Sequence, residues 1–454
     1  MSQEEIEPQE EFITNEDVDQ EIVLTNDGTD LPLPEEEEEE EEVTEQHTEH
    51  DGDIAMGEAE GQNGEDIIEI DMSNNSVSYF DKHTDSVFTI SHHPTLPLIC
   101  TGGGDNVAHL WTSHSHPPKF AGTLQGHTES VIASGFTMDG KFLITGDMNG
   151  KILLHKSNKS GSQWKQVSQL QEVDEVVWLK CHPTVPGIFA FGAADGSVWC
   201  YQINDNGSDD VSLEQLMSGF AHQQDCTMGE FINLDKAANG ESLELISCSL
   251  DSSIVGWNCF TGQQLFKITP AELKGLQAPW VSLSLAPSSL TNGNSGIIAA
   301  GANNGVLAII NCNNNGAILQ LSTVIELKPE QEELDASIES IAWSQNFPLM
   351  ALGLVSGEIL LYDTTTWRVR HKFVLDDSIT KLIFDNNDLF ASCINGKVYQ
   401  YDSKTGQEKF VCTGHNMGVL DFVLIKPQQN STTGLRRLVT AGDEGVSLVF
   451  EVPN

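Results

Sequence analysis

Basic residues are scarce in this sequence of 454 residues. It contains 22 Lys and Arg against 68 Asp and Glu, which gives a formal net charge of −46 at pH 7. No Lys or Arg precedes Lys82, whereas 27 acidic residues lie between Met1 and Asp66. The rest of the chain still has 41 acids against the 22 bases. This balance disfavours nucleic acids and anionic membranes as direct partners and favours basic proteins.

Long apolar runs and paired cysteines are also missing. No run of about 18 apolar residues offers a membrane-spanning helix, and the start Met-Ser-Gln-Glu-Glu lacks the basic residues of a secretory signal. The nine cysteines are scattered singly, and none forms the C-x-x-C pair of zinc and redox motifs. We expect reduced cysteines in a cytoplasmic protein, with the nucleus left open as a second location.

Residues 1–66 are predicted to form a disordered acidic tail. They hold an unbroken acidic run from Glu35 to Glu42, few aromatic residues and no hydrophobic periodicity. Mutual repulsion with little apolar surface to bury keeps such a segment unfolded. Two interpretations of the tail stay open: a solubilising extension, or an electrostatic lure for a basic partner.

After Asp66 one pattern recurs eight times. A small or hydroxyl residue is followed by a turn with Asp or Asn and Gly, and then by alternating apolar residues that end in an aromatic position. The copies are spaced by about 48 residues, near the roughly 40–45 expected for four-stranded propeller blades. The positions that end the eight copies are Trp111, His155, Tyr201, Trp257, Ile310, Tyr362, Tyr401 and Phe450.

The last copy reaches Phe450 only four residues before Asn454, so it lacks room for a fourth strand. A separate strand-like segment, Ser76 to Phe80, precedes the first copy. Pairing this segment with the last blade would remove two free strand edges. The sequence therefore predicts an all-β fold over residues 67–454, an eight-bladed β-propeller closed by an N-terminal strand.

The repeats resemble those of WD-repeat proteins. Gly126-His127 and Gly414-His415 stand where that family places its Gly-His pair, and His83 and His222 occupy corresponding positions. The resemblance implies structural hydrogen-bonded sets of His, Ser or Thr, Asp and Trp in two blades. These sets are His83, Thr101, Asp105 and Trp111, and His222, Ser247, Asp251 and Trp257.

Catalysis is not expected from these residues. His83, Asp105 and Thr101 could act as a triad only in a cleft, and their spacing recurs in another blade, which a unique active site would not do. His92-His93 and His114-Ser-His116 lack partner Cys or clustered acids at metal-ligand spacing. Gly102-Gly-Gly104 precedes a strand, so it is a turn and not a phosphate loop. We expect no enzyme activity, metal or cofactor.

The predicted binding surface is the face that carries the fourth-to-first-strand loops and the second-to-third-strand turns. Acids recur there at equivalent positions of several blades, together with bulky apolar residues. Carboxylates would steer a Lys- and Arg-rich segment, and apolar groups would add burial; an ordinary solvated acidic surface is the alternative. The predicted acids are Asp85, Glu129, Asp147, Glu175, Asp225, Glu230, Glu339, Asp377, Asp421 and Asp443, and the apolar contacts are Met148, Met228, Trp280 and Met417.

Several longer segments resemble a more specific family, the fungal WD-repeat ribosome-assembly proteins that act as dedicated chaperones of the large-subunit ribosomal protein ten. They include Asp71-Met-Ser-Asn-Asn, Tyr79-Phe-Asp-Lys-His, Cys100-Thr-Gly-Gly-Gly-Asp-Asn, Ile325-Glu-Leu-Lys-Pro-Glu-Gln and Glu444-Gly-Val-Ser-Leu-Val-Phe. The chain is similar, more distantly, to angio-associated migratory cell protein. The resemblance implies capture of the client's basic N-terminal segment and its delivery for 60S ribosome assembly.

The residues alone predict a basic protein partner but do not identify it. Two alternatives stay open at this level: a scaffold subunit of a stable multiprotein complex, and a histone-type acidic chaperone. A scaffold subunit would expose a large apolar patch and copurify stoichiometrically, whereas a chaperone would bind a short basic segment and release it. We expect the protein itself to be a monomer.

Overall fold

The computed structural model describes residues 73–158, 161–207, 210–327, 329, 331–426 and 435–454. The predicted acidic tail lies outside the described residues, so its boundary at residue 66 stays a prediction. Among the described residues, none of the helices has the length and hydropathy needed to span a membrane.

The described residues form eight four-stranded antiparallel sheets, as the eight sequence copies predict. In seven sheets the strands follow each other in chain order. The eighth contains the first strand of the chain, β1 (Ser78–Phe80). Blade 1 contains β2 (Val87–His92), β3 (Leu98–Gly103), β4 (Ala108–Thr112) and β5 (Phe120–Leu124); blade 2 contains β6 (Val131–Phe136), β7 (Phe142–Asp147), β8 (Lys151–Ser157) and β9 (Trp164–Gln171); blade 3 contains β10 (Val176–Cys181), β11 (Ile188–Ala193), β12 (Val198–Asp205) and β13 (Val211–Gly219); blade 4 contains β14 (Cys226–Ile232), β15 (Glu244–Ser249), β16 (Ile254–Asn258) and β17 (Gln263–Ile268).

The second half of the ring repeats this arrangement. Short helices occur only in connections within the described chain: α1 (Leu234–Ala238) and three 3-10 turns at Ser288–Leu290, Cys312–Asn314 and Glu333–Ala336. Blade 5 contains β18 (Trp280–Leu285), β19 (Ile297–Ala302), β20 (Val306–Asn311) and β21 (Ala317–Thr323); blade 6 contains β22 (Ile338–Trp343), β23 (Leu349–Leu354), β24 (Glu358–Asp363) and β25 (Arg368–Val374); blade 7 contains β26 (Ile379–Asp385), β27 (Asp388–Cys393), β28 (Val398–Asp402) and β29 (Glu408–Cys412); blade 8 contains β30 (Val419–Ile425), β31 (Arg436–Gly442), β32 (Ser447–Val452) and β1.

The ring is closed by the N-terminal strand, as predicted. β1 pairs antiparallel with β32, and Ser78 lies opposite Val449 while Phe80 lies opposite Ser447. The first strands of neighbouring blades contact each other round the whole ring, including β30 with β2. Phe80 stacks on Trp111 of blade 1 with ring centroids 4.7 Å apart. The eight-bladed propeller is therefore confirmed, together with its mode of closure.

The hydrophobic core lies between neighbouring sheets. The second strands of blades 1, 2, 3, 5, 6 and 7 are buried along their full length, because both of their faces are covered by adjacent blades. Glycine is required where a large side chain crosses this interface. A Cβ on Gly229 would lie 2.1 Å from the Trp178 ring, so the first strand of blade 4 needs glycine there.

Every first strand begins with a bulge against its second strand. The pairing register skips one residue in all eight blades, for example Phe88 in β2 and Glu339 in β22. A bulge leaves the extra residue unpaired and re-aims its side chain. The same device thus recurs at the start of the innermost strand of each blade, beside the face that carries the predicted site.

Candidate functional site: an acidic propeller face

The predicted binding face is formed by two kinds of connection. The fourth strand of each blade ends beside the turn between the second and third strands, as where Leu124 lies opposite Ala108. The loop to the next blade therefore adjoins that turn. We call the surface made by these loops and turns the upper face.

His83 anchors the upper face of blade 1. Its Nδ1 lies 3.0 Å from Asp105 Oδ1, and its Nε2 lies 3.0 Å from the Oγ1 of Thr101. The Nε1 of Trp111 donates to the same hydroxyl at 3.2 Å. The predicted set is confirmed, and its members form hydrogen bonds with one another within the blade.

The corresponding set in blade 4 contains one residue more than predicted. The Nε2 of His222 lies 2.7 Å from Ser247 Oγ, to which Trp257 Nε1 donates at 2.8 Å. The Nδ1 of His222 contacts Ser253 Oγ at 2.6 Å, and Ser253 in turn donates to Asp251 at 2.5 Å. Asp251 thus reaches the histidine through a serine. Burial raises the pKa of Asp251, but the nearby His222 ring and hydrogen bonds from Ser253 and backbone amides outweigh burial, so the pKa lies well below its ordinary value.

Asp147 is a correction to the predicted partner site. It is fully buried and its Oδ2 lies 3.1 Å from the Nδ1 of His127, whose Nε2 contacts Thr145 Oγ1 at 2.7 Å. Backbone amides of Thr128 and Lys151 also donate to it. Burial raises its pKa, but these hydrogen bonds outweigh burial, and the pKa lies below the ordinary value. Asp147 is therefore the structural carboxylate of blade 2.

Blade 8 contains a fourth histidine-centred set. The Nδ1 of His415 contacts Glu444 Oε1, and its Nε2 lies 2.6 Å from Thr440 Oγ1. Glutamate thus replaces aspartate at the turn of this blade. Four of the eight blades use a histidine to tie the loop before the blade to its second strand.

The remaining predicted acids differ in how freely they face solvent. Asp85, Glu129, Glu339 and Asp377 are exposed, and Glu175 and Asp225 are half-buried. Glu339 is the residue that the bulge of β22 leaves out of the pairing register. Asp85, Glu129 and Asp377 lie in the connections before blades 1, 2 and 7, and Glu339 lies in the first strand of blade 6, so the four carboxylates span the part of the ring from blade 6 through blade 8 to blade 2.

Three predicted acids are engaged within the protein. Glu230 is paired with Lys180, and Asp421 is paired with Lys381 at 2.6 Å, in each case between first strands of adjacent blades. Asp443 accepts a hydrogen bond from Ser86 Oγ at 2.7 Å. The lysine partners compensate Glu230 and Asp421, so these two contribute less negative potential than the unpaired exposed acids.

Only part of the predicted apolar set faces solvent. Met148 and Met417 are exposed, and Met228 is half-buried against the core between blades 4 and 5. Trp280 is a correction, because it is fully buried in that core. It is the first residue of β18 rather than part of the preceding loop, so its side chain packs between the sheets.

The sequence reasoning missed the loop between blades 5 and 6. Glu326, Glu332 and Glu333 are exposed there, and Leu334 is exposed beside them. The local signal was the segment Glu330 to Asp335, with four acids, one glutamine and one leucine, but the loop has no counterpart of equal length in the other repeats. This loop adds to the negative charge of the upper face.

One group of three possible metal ligands occurs among the described residues, made of His83, Asp105 and His109. Both ring nitrogens of His83 are taken by Asp105 and Thr101, and His109 Nδ1 lies 3.0 Å from Thr123 Oγ1. Burial lowers the pKa of His109 to about 4. His93, another considered ligand, is buried with Nε2 2.9 Å from the Gly140 carbonyl oxygen. Structural hydrogen bonding accounts for these groups.

Fold and face together define a WD-repeat β-propeller with an acidic upper face. The family model "WD domain, G-beta repeat" matches residues 74–112 and 118–156. The "Ribosome assembly protein SQT1" of Saccharomyces cerevisiae is 68% identical over 450 residues, covering 99% of this chain and 100% of that protein. The chain therefore belongs to the family of ribosome assembly protein SQT1.

Solved structures agree with this assignment. The crystal structure of Saccharomyces cerevisiae Sqt1 has a TM-score of 0.82 and 73% identity, covering 84% of this chain and all of that one. The structure of Chaetomium thermophilum Sqt1 bound to the N-terminus of the ribosomal protein L10 has a TM-score of 0.71 and 26% identity, with 84% and 100% covered. Human angio-associated migratory cell protein is 26% identical over 355 residues, 76% of this chain and 75% of its own length.

Proposed function

We propose that this protein is a chaperone that binds the basic N-terminal segment of ribosomal protein L10 on its upper face and delivers it for 60S ribosome assembly. It acts by binding alone, with no chemical step and no cofactor. Two relatives support this: a protein of 68% identity is a ribosome assembly protein, and a relative of 26% identity has been crystallised with the N-terminus of L10.

The observation that carries the proposal is the distribution of exposed carboxylates. Asp85, Glu129, Glu339 and Asp377 come from four different blades or blade junctions, yet all belong to the upper face. Carboxylates that surround one surface sum to a negative potential, which accelerates encounter with a Lys- and Arg-rich segment and fixes its position. A propeller places residues that are far apart in sequence into such a ring, because equivalent loops of all blades share one face.

Charge reversal on the upper face tests the proposal. Glu129→Lys, Glu339→Lys and Asp443→Lys should each weaken binding of an L10 N-terminal peptide by about fivefold or more at low salt, measured by isothermal titration calorimetry. The effect should shrink at high salt, because exposed charges are screened. Glu241→Lys is the matched control, since Glu241 is an exposed acid in the connection after α1, away from the upper face.

Unchanged affinity in all three variants would place the site elsewhere. Melting temperatures are needed beside the affinities, because Asp443 also bonds Ser86 and its replacement perturbs the join between blades 8 and 1. A loss of binding without a loss of stability supports a contact with the client.

The proposal places capture in the cytoplasm, where ribosomal proteins are synthesised. A pull-down of newly made proteins at moderate salt tests both the client and its specificity. Recovery of L10 in preference to histones is expected, whereas equal recovery of histones would indicate a general acidic chaperone. A stoichiometric complex that survives washing with excess L10 peptide would indicate a scaffold subunit.

A further inference from the structure

The blade junctions of the upper face differ in the exposure of their apolar residues, although Met148 is also exposed in the second-to-third-strand turn of blade 2. Five consecutive blade junctions, from 3/4 to 7/8, each carry a large exposed apolar side chain. No large apolar residue is exposed in the described loops 81–86, 125–130 and 172–175, which form the three other junctions. We call the five residues the apolar arc; they are Phe220 (70% exposed), Leu276 (38%), Leu334 (58%), Val374 (66%) and Met417 (50%).

Single exposed apolar residues are ordinary on a protein surface, but their placement here is not scattered. Four of the five residues lie in the loops that join successive blades, and Val374 ends β25 at the start of the fifth such loop. Three of these loops also carry exposed acids, namely Glu272, Glu332 and Asp377. A surface that places an apolar group near a carboxylate at three neighbouring junctions fits a partner with both apolar and basic side chains. The apolar arc is also continuous with the acidic surface described above.

Two residues of the apolar arc, Phe220 and Leu334, are supported by the surrounding structure. The Phe220 ring packs edge-on against Trp199 with centroids 5.7 Å apart. Leu334 lies in a 3-10 turn whose capping box joins Glu332 and Asp335, and the backbone amide of Ser356 donates to the Asp335 carbonyl at 3.0 Å. Side chains that are already positioned lose little conformational freedom when a partner covers them.

We propose that the apolar arc binds apolar side chains interspersed among the basic residues of the client segment. The inference rests on the proposed function and adds the class of segment that is recognised: mixed basic and apolar, not merely polybasic. Carboxylates then supply the salt-dependent part of the affinity, and the apolar arc supplies a part that salt leaves unchanged. Such a division lets the chaperone reject polybasic segments, which satisfy the charges but leave the apolar arc uncovered.

Two leucines and two valines provide matched variants. Leu334→Ser and Val374→Ser change the apolar arc, whereas Leu319→Ser and Val369→Ser change exposed residues further along the outer strands β21 and β25. Val374 ends β25 at the upper face, and Val369 lies near the opposite end of the same strand. Leu319 has the same exposure as Leu334, 58%, so the pair differs mainly in location. All four side chains are exposed, so each variant should fold, which the melting temperature checks.

The L10 N-terminal peptide is the first probe, and the same peptide with its apolar residues replaced by serine is the second. Leu334→Ser and Val374→Ser should each weaken binding of the first probe by about tenfold, and by the same factor at low and high salt. The outer-strand variants should bind as the unchanged protein does. The serine-replaced peptide should bind the unchanged protein more weakly than the first probe does. It should bind the arc variants and the unchanged protein with equal affinity, because the peptide no longer has the apolar side chains that contact the apolar arc.

Equal binding of the two peptides, or equal affinity of the arc and outer-strand variants, would overturn the inference. The proposed function would survive that result if Glu129→Lys still weakened binding of the first probe. If neither Glu129→Lys nor the arc variants changed the affinity, both the inference and the proposed function would fail. A salt-sensitive effect of Leu334→Ser would also contradict the assigned division of roles.

Discussion

The hydroxyl of Ser86 donates a hydrogen bond to Oδ1 of Asp443 at 2.7 Å, although 357 positions separate the two residues in the chain. Ser86 immediately precedes the first strand of blade 1, and Asp443 lies in the second-to-third-strand turn of blade 8. The contact thus supplements the pairing of β1 with β32 at the place where the ring closes. Asp443 therefore belongs both to the closure and to the upper face.

The closure can be tested with two neighbouring residues of β1. Phe80 is 5% exposed and stacks on Trp111, whereas Tyr79 is 59% exposed. We expect Phe80→Ala to lower the free energy of unfolding by about 3–5 kcal/mol, because it empties the interface between blades 8 and 1. Tyr79→Ala should cost under about 1 kcal/mol. Urea unfolding followed by fluorescence measures both, and equal costs would argue against closure by this strand.

A buried histidine predicts sensitivity to mild acid. His155 takes the tryptophan position in blade 2, its Nδ1 has no hydrogen-bond partner, and burial lowers its pKa to about 3. The folded state disfavours protonation of His155, whereas the unfolded chain takes up the proton below about pH 6.5. The contribution of neutral His155 to the free energy of unfolding is therefore complete above about pH 6.5 and is about 2 kcal/mol smaller at pH 5.

His155→Phe removes the titrating group and keeps a ring of similar size. The variant should unfold with a smaller loss of stability between pH 7 and pH 5 than the unchanged protein. Thermal unfolding at the two pH values provides the comparison. An identical pH dependence in both proteins would show that His155 is not the sensitive group.

Asp147 predicts a second loss at lower pH. Its pKa in the folded protein lies below the ordinary value, so its stabilising effect is present above about pH 4 and is lost as the pH falls through the folded-state pKa. Asp147→Asn should cost about 1–3 kcal/mol at pH 7 and flatten the pH dependence of stability below pH 4. Asn149→Ala, an exposed change two residues away, should alter neither by more than about 0.5 kcal/mol.

The buried ion pairs between Arg436 of blade 8 and two aspartates of blade 7 should contribute far more to the free energy of unfolding than surface ion pairs do. Arg436 is 2% exposed, and it donates to Asp385 at 2.9 Å and to Asp388 at 2.6 Å. Arg436→Met should lower the free energy of unfolding by about 3–5 kcal/mol, because two buried carboxylates lose their main partner.

Lys372 provides the comparison, since it pairs with Glu358 at 2.7 Å while half of its side chain is exposed. Lys372→Met should cost under about 1 kcal/mol. Chemical denaturation of the two variants measures the difference. Similar costs for both would mean that the Arg436 cluster is already compensated by other groups, such as Lys409 on Asp388.

The architecture was accessible from the sequence because each blade repeats its own turn and strand pattern. The spacing from Asp105 to Trp111 recurs in eight copies, and the missing fourth strand of the last copy pointed to Ser76–Phe80. The set around His83 was likewise predicted correctly, since its residues lie at fixed distances from the turn. Local repetition carries this information directly.

The errors arose where position in the repeat does not determine the direction of a side chain. Asp147 lies two residues before the expected Asn149, yet it reaches His127 and becomes the buried carboxylate. Trp280 was assigned to a loop, but β18 begins at that residue and its ring enters the core. Of the apolar arc only Met417 was predicted, because the sequence does not show which apolar side chains of these loops remain exposed.

Pairing of β1 with β32 also has a consequence for how the molecule is made. Translation delivers β1 before β32 and the thirty strands between them, so the two cannot pair until all eight blades have been synthesised. Until then the nascent chain presents unpaired strand edges at both ends of an open array, which is the condition under which misassembly competes with folding. A protein proposed to be a chaperone for another protein is thus itself prone to misassembly until its ring has closed.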